Sequence, residues 1–300
     1  MKFICIAAMA LSFCACHSKI TAHASRFNAA QTFTDKSGQP MLLGIHTKED
    51  LQQPPYQEWF DKNYSAYAVD TAIADQLKSL LKNKHFEIFM GTWCGDSKRE
   101  VPRMFKLLEY AGVKASQIKL IMVDNHDSSY KQSPGHEEKN KNIHRVPDLL
   151  VYDGEKEINR IIESPVASLE RDLLAIAGKN NYQPHYAGAF YLAGLTMSTS
   201  LAEITKDTIA VTGKLKIITA NSNELNSLGY VWMVAGETSK ALLAFQLNAA
   251  LFPGDANVYN SLGEMYMKTG RKEQAKIYYQ KVLALQPANE NVAKKLSQLN

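Results

Sequence analysis

Cys94 is the residue whose setting allows chemistry. It lies in Gly91-Thr92-Trp93-Cys94-Gly95-Asp96-Ser97, directly after the apolar run Phe86 to Met90 and ahead of a helical stretch, Arg99 to Tyr110. Only the thiolate attacks a disulfide, and a free cysteine is ionised to a few per cent at neutral pH. A helix N-terminus favours the anion through its dipole and unpaired N–H groups. Ser97, three residues on, faces the same way and is placed to donate a hydrogen bond to the sulfur. Lys98 and Arg99 add positive potential, and Asp96 opposes it. On balance these neighbours favour the thiolate.

The chain has 4 cysteines, at positions 5, 14, 16 and 94. Lys2 with the apolar run Phe3 to Ala15 has the pattern of an export signal, too short for the roughly 20 residues of a spanning helix. Two maturation routes fit the residues after it. Phe13-Cys14-Ala15-Cys16 resembles a bacterial lipobox, which makes Cys16 the acylated residue. Ala22-His23-Ala24 is an A-x-A site, which releases a soluble chain starting at Ser25. Either route implies export to the periplasm or cell envelope, anchored through Cys16 on the first and soluble on the second. Either also leaves Cys94 as the lone free thiol, outside any intramolecular disulfide framework. Such a thiol can form a mixed disulfide that a second thiol must resolve. That suits isomerisation, de-thiolation or client capture rather than unaided two-electron reduction.

The elements that position Cys94 are legible in the apolar spacing. Asp70 to Leu81 has helical periodicity through Ala72, Ile73, Leu77, Leu80 and Leu81. Phe86 to Met90 and Ile118 to Val123 have the character of buried strands. Val101, Phe105, Leu107 and Leu108 line one face of the helix after Cys94. A polar segment, Asp124 to Asn142, comes next. Leu149–Tyr152 and Glu157–Ile162 flank the turn signal Asp153-Gly154, and Leu169 to Ala177 is helical up to Gly178. Helices alternating with strands and then a terminal hairpin predict a mixed α/β sheet. Residues 17–40, with the turn Ser37-Gly38-Gln39-Pro40, have the character of a tether. Trp59, Phe60, Tyr64 and Tyr67 are expected in the core of an N-terminal extension.

Trp93-Cys94-Gly95 between a strand and a helix, with Val146-Pro147 leading into a later strand, resembles the thioredoxin family over about Met41 to Gly178. The resemblance implies a thioredoxin-like fold, a central mixed sheet flanked by helices. It further implies a cis Val146-Pro147 bond facing the cysteine, and a substrate-docking surface of Trp93, Gly95, Asp96, Val146 and Pro147. Three departures accompany it. Ser97 replaces the second cysteine of C-x-x-C, Ile88 stands where family oxidoreductases often carry a buried carboxylate, and Asp148 stands where a threonine commonly comes after the proline.

The C-terminal part repeats itself with a period of 34 residues. Leu228-Gly229 matches Leu262-Gly263, Trp232 matches Tyr266, Ala241 matches Ala275, Phe245 matches Tyr279, and Pro253 matches Pro287. These positions resemble the tetratricopeptide signature, which implies helical hairpins at 222–255 and 256–289 with a protein- or peptide-binding groove. Glu290 to Leu299 is a capping helix. His185–Ser198 and Leu201–Val211 are either a degenerate helical pair closing the other end or a segment packed on the thioredoxin-like domain.

The expected organisation is a signal segment at 1–24, a linker at 25–40, an α/β domain at 41–180, a connecting helical region at 181–221 and an all-α repeat module at 222–300. Formal net charge is +4 without a basic, aromatic-interleaved stripe, which argues against nucleic acid as a partner. Asp124, His126, Asp127, His136 and His144 match no familiar metal-ligand spacing, so no metal or other cofactor is expected. No Gly-rich phosphate loop stands out, and Gly91 rather than a threonine lies three residues before Cys94, which disfavours a peroxidase. The expected function is single-thiol exchange or isomerisation on envelope clients, with Cys94 as nucleophile, Ser97 as thiolate stabiliser and the repeats holding the partner. The alternative is a redox-inert binding scaffold.

Overall fold

Asp35 begins the folded chain by closing a turn. In the computed structural model, which describes residues 33–299, its Oδ1 accepts from Ser37 N, Ser37 Oγ and Gln39 N, with Gly38 at φ +79°. The turn joins β1 (Phe33–Thr34) to β2 (Pro40–Met41) as an antiparallel ribbon. The tether expected at 17–40 is therefore corrected over 33–40, which is folded because Asp35 and Gly38 together supply the turn chemistry. Cys16 and Ala22-His23-Ala24 lie outside the described residues.

A five-stranded mixed sheet comes next, formed by β3 (Gly44–His46), β4 (Lys84–Met90), β5 (Ile118–Met122), β6 (Asp148–Asp153) and β7 (Lys156–Ile162). Its order is β3-β5-β4-β6-β7, with β4 and β5 parallel and the other neighbours antiparallel. The helices of this part are α1 (Lys48–Leu51), α2 (Gln57–Ala66), α3 (Thr71–Leu80), α4 (Gly95–Tyr110) and α5 (Leu169–Ala177). The strand starting at Lys84 and the helix starting at Gly95 each extend further toward the N-terminus than their apolar runs predict.

Side chains of the central strand β4 alternate between two cores. Phe86, Ile88 and Met90 pack with Leu77, Val101 and Leu108, whereas Phe89 packs with Ile121, Val123, Ile143 and Leu150. The first face is covered by helices, with Phe60 fully buried and Trp59, Tyr64 and Tyr67 packed against it. The second face has Ile143 and Val146 from the long segment between β5 and β6, so that segment belongs to the fold rather than being a solvated insertion. Pro102 lies inside α4 and has no N–H to offer the carbonyl of Lys98. Asn63 on α2 fills the gap, its Nδ2 donating to Lys98 O at 3.1 Å.

The rest of the chain is helical: α6 (Ala187–Ser198), α7 (Leu201–Lys206), α8 (Thr208–Ile218), α9 (Asn223–Val234), α10 (Thr238–Leu251), α11 (Ala256–Lys268), α12 (Lys272–Leu285) and α13 (Glu290–Ser297). The helix expected over 201–211 is instead two helices. Asp207, at φ −107° and ψ 35°, leaves helical geometry between them, and the second runs on to Ile218. Both placements considered for this region are realised. Leu192, Val211 and Leu215 share a core with Leu228 and Phe245, while Phe190 lies 6.0 Å from the Arg160 guanidinium of the sheet.

The two repeats superpose in chemistry as well as sequence. Gly236 and Gly270 take φ +78° and +73° at the hairpin turns. Ala241 and Ala275 are fully buried, as close crossings require. A Cβ on Gly229 would come within 2.5 Å of the Phe245 ring, and one on Gly263 equally close to the Tyr279 ring. Tyr279 is 2% exposed and has little room to retreat. Gly263→Ala is thus expected to destabilise the chain by about 1–3 kcal/mol through overpacking, read as an earlier urea midpoint with an unchanged slope.

Candidate functional site around Cys94

The turn between β4 and α4 places the cysteine. Cys94 N donates to Gly91 O at 2.9 Å, and Lys98 N donates to Cys94 O at 3.0 Å, which starts the helix. Cys94 is the N-cap residue, in extended geometry, and is partly exposed. Its thiol donates to Val146 O at 3.2 Å, and the Val146-Pro147 bond next to that carbonyl is cis. Trp93 lies beside the turn, its Nε1 donating to Val123 O at 2.8 Å. Trp93, Cys94, Gly95, Asp96, Val146 and Pro147 therefore come together at one end of the sheet.

Ser97 differs from expectation. Its hydroxyl oxygen is fully buried and accepts Gly91 N–H at 3.3 Å, tying the end of β4 to the first turn of α4. Its partner is thus the strand end rather than the sulfur. The cationic help expected from Arg99 is largely spent, since its Nη2 holds Asp96 at 2.7 Å and its Nε holds Glu100 at 2.7 Å.

A buried cation lies in the segment before β6. Lys131 is 4% exposed, and its Nζ donates to His144 O at 2.6 Å and Tyr130 Oη at 2.8 Å. Burial, helped by the neighbouring Arg145, pulls its pKa down to about 7, while the fields of Cys94, Glu163 and Asp148 oppose that shift. His144 beside it is pushed down to about 3 by burial. Being neutral, it donates Nδ1–H to Asn142 O at 3.1 Å, and its buried Nε2 has no partner. Asp148 is raised by burial, an effect that Arg160 Nη1 at 2.9 Å offsets in part. Lys131, Tyr130 and Arg145 were missed from sequence because nothing in the spacing of a polar loop distinguishes a buried lysine from a solvated one.

The other candidate ligands are held by local bonds. Asp124 accepts from His126 Nδ1 at 2.7 Å and Ser129 Oγ at 2.6 Å, Asp127 meets Lys36, and His136 meets Glu138. Among the described residues, no three histidine, cysteine or acidic side chains gather as a metal site.

The helical module meets the same end of the sheet. Trp232 Nε1 donates to Asn142 Oδ1 at 2.8 Å, and Arg145 Nη2 donates to Asn223 O at 3.3 Å. Between them lies an open groove of about 590 Å³, lined on one side by Tyr130 and Arg145 and on the other by Asn226, Ser227, Tyr230 and Glu264. Two polar atoms of these walls, Arg145 Nε and Asn226 Oδ1, have no hydrogen-bond partner. Arg145 directly precedes Val146, whose carbonyl accepts the thiol, so the groove wall and the cysteine site share one stretch of chain.

Among known families, the model described as "Tetratricopeptide repeat" matches residues 256–289. No curated protein sequence matches the chain. The C-terminal region is thus a tetratricopeptide-type helical module, which suggests protein–protein interaction.

Proposed function

We propose that this chain is a thioredoxin-like, single-thiol exchange protein that acts on disulfide-bearing client proteins held by its repeat module. One observation carries the proposal: the Cys94 thiol, at the N-cap position of α4, faces the carbonyl of Val146, whose chain neighbour Arg145 lines a groove shared with helices α9 and α11. A client lying in that groove would meet Arg145, the chain neighbour of the Val146 whose carbonyl accepts the thiol. The order of strands and the cis bond before Pro147 agree with the thioredoxin resemblance.

The chemistry balances without an external electron source only for isomerisation. The Cys94 thiolate attacks one sulfur of a client disulfide, the client S–S bond breaks, and the displaced client thiolate takes a proton from solvent. A second client thiolate then attacks the client sulfur bound to Cys94. The mixed disulfide breaks, Cys94 leaves as a thiolate, and a rearranged client disulfide remains. With Ser97 in the resolving position, net reduction requires an external thiol. The N-terminal sequence extends the proposal to an exported protein anchored through a lipid on Cys16, in which case Cys16→Ser moves the chain from the membrane fraction to the soluble one.

A redox-inert scaffold is the second reading, and the hydrogen bond from the thiol to Val146 O favours it, because that bond exists only in the protonated form. Incubation with a peptide carrying one glutathione mixed disulfide distinguishes the two. Exchange predicts a chain whose mass increases by the peptide or by glutathione at Cys94, and no adduct there with Cys94→Ser. An unmodified Cys94 after prolonged incubation at pH 8 supports the scaffold.

A further inference from the structure

The helical module is finished at one end and unfinished at the other. At its C-terminal end, α13 buries Val292 and turns Asn291, Lys294 and Gln298 to solvent. Terminal repeats need such a polar outer face. At the opposite end, α8 buries Val211 and Leu215 on one face and leaves Ile209 90% and Ile217 82% exposed on the other. Gly213 lies midway between them, on the same stripe at i, i+4 and i+8. A Cβ built there meets nothing within 4 Å.

We propose that this face of α8 binds a second copy of the chain, as an antiparallel helix pair with its two-fold axis at Gly213. The stripe is self-complementary about that residue. A two-fold axis at position 213 sets each residue opposite the one equally far on the other side. Ile209 then packs on Ile217 of the second copy, and Ile217 on its Ile209, which is the condition for an isologous contact. The same register sets Lys214 opposite Thr212 and Lys216 opposite Ala210, so the two lysines of α8 do not face each other. Gly213 at the crossing lets the two backbones approach closely. Charge favours a protein occupant over an anionic membrane, because Glu203 and Asp207 offset two of the three lysines in α7 and α8. A single helix pair buries less than the roughly 1,600 Å² of a standard interface, so the association is weak and concentration-dependent.

Disulfide trapping tests the register directly, in the full chain with Cys5, Cys14, Cys16 and Cys94 replaced by serine. Gly213→Cys on the axis is expected to give a disulfide-linked dimer under mild oxidation. Ile209→Cys alone is not, because it and its own copy lie about 12 Å apart along the helices, beyond disulfide reach. Ile209→Cys combined with Ile217→Cys is expected to cross-link again. In sedimentation equilibrium, Ile209→Asp in the native chain should weaken dimerisation at least tenfold. Equal cross-linking at 209 and 213 would overturn the proposal, as that marks random collision. So would the absence of any cross-link with a chain that stays monomeric at high concentration, the mark of a face covered by residues 1–32 or left bare. Cross-linking that needs phosphatidylglycerol vesicles would assign the face to lipid instead. None of these outcomes depends on the reactivity of Cys94.

Discussion

The segment from Asn142 to Asp148 makes contacts in three directions through its backbone and side chains, and both the cysteine site and the placement of the helical module depend on it. Toward the thiol, Val146 O accepts from Cys94. Toward the interior, His144 O accepts from the buried Lys131 and Asp148 receives Arg160. Toward the repeats, Asn142 accepts from Trp232 and Arg145 donates to Asn223 O. A shift of this segment by an ångström would break hydrogen bonds on all three sides, which ties the environment of the sulfur to the seat of the helical module. Trp232 shows the same economy. It occupies a repeat signature position and buries its ring in the module, yet its one donor reaches the other domain.

Burying Lys131 is unfavourable. A lysine whose folded pKa lies near 7, against about 10.4 in an unfolded chain, takes up its proton later than the unfolded chain as pH falls. Stability from this group therefore declines between about pH 10 and pH 7, and the full cost persists below. Arg99, the cation that proximity in sequence suggested for the cysteine turn, is neutralised by Asp96 and Glu100.

The elements and the groups that join them were not equally legible in the sequence. Periodicity located α3 and α5 because each buries one apolar face, and the turn signal Asp153-Gly154 located the β6–β7 hairpin. The repeat module was legible because Gly229/Gly263 and Phe245/Tyr279 meet the same packing requirement one period apart. The segment before β6 was not legible. Its buried members Lys131, Ser133 and His144 are polar, so they add nothing to the apolar periodicity by which burial is recognised in a sequence. The same limit applied at Ser97, where spacing placed the hydroxyl on the correct face of the helix but did not show that its oxygen accepts Gly91 N–H.

The most direct test is the recovery of activity by scrambled ribonuclease in a glutathione buffer too weak to reshuffle it quickly. Exchange through Cys94 predicts faster recovery with the native chain than with buffer alone, and no acceleration with Cys94→Ser. Recovery at the buffer rate in the presence of the native chain would contradict it, and would leave the groove beside Cys94 as a binding surface.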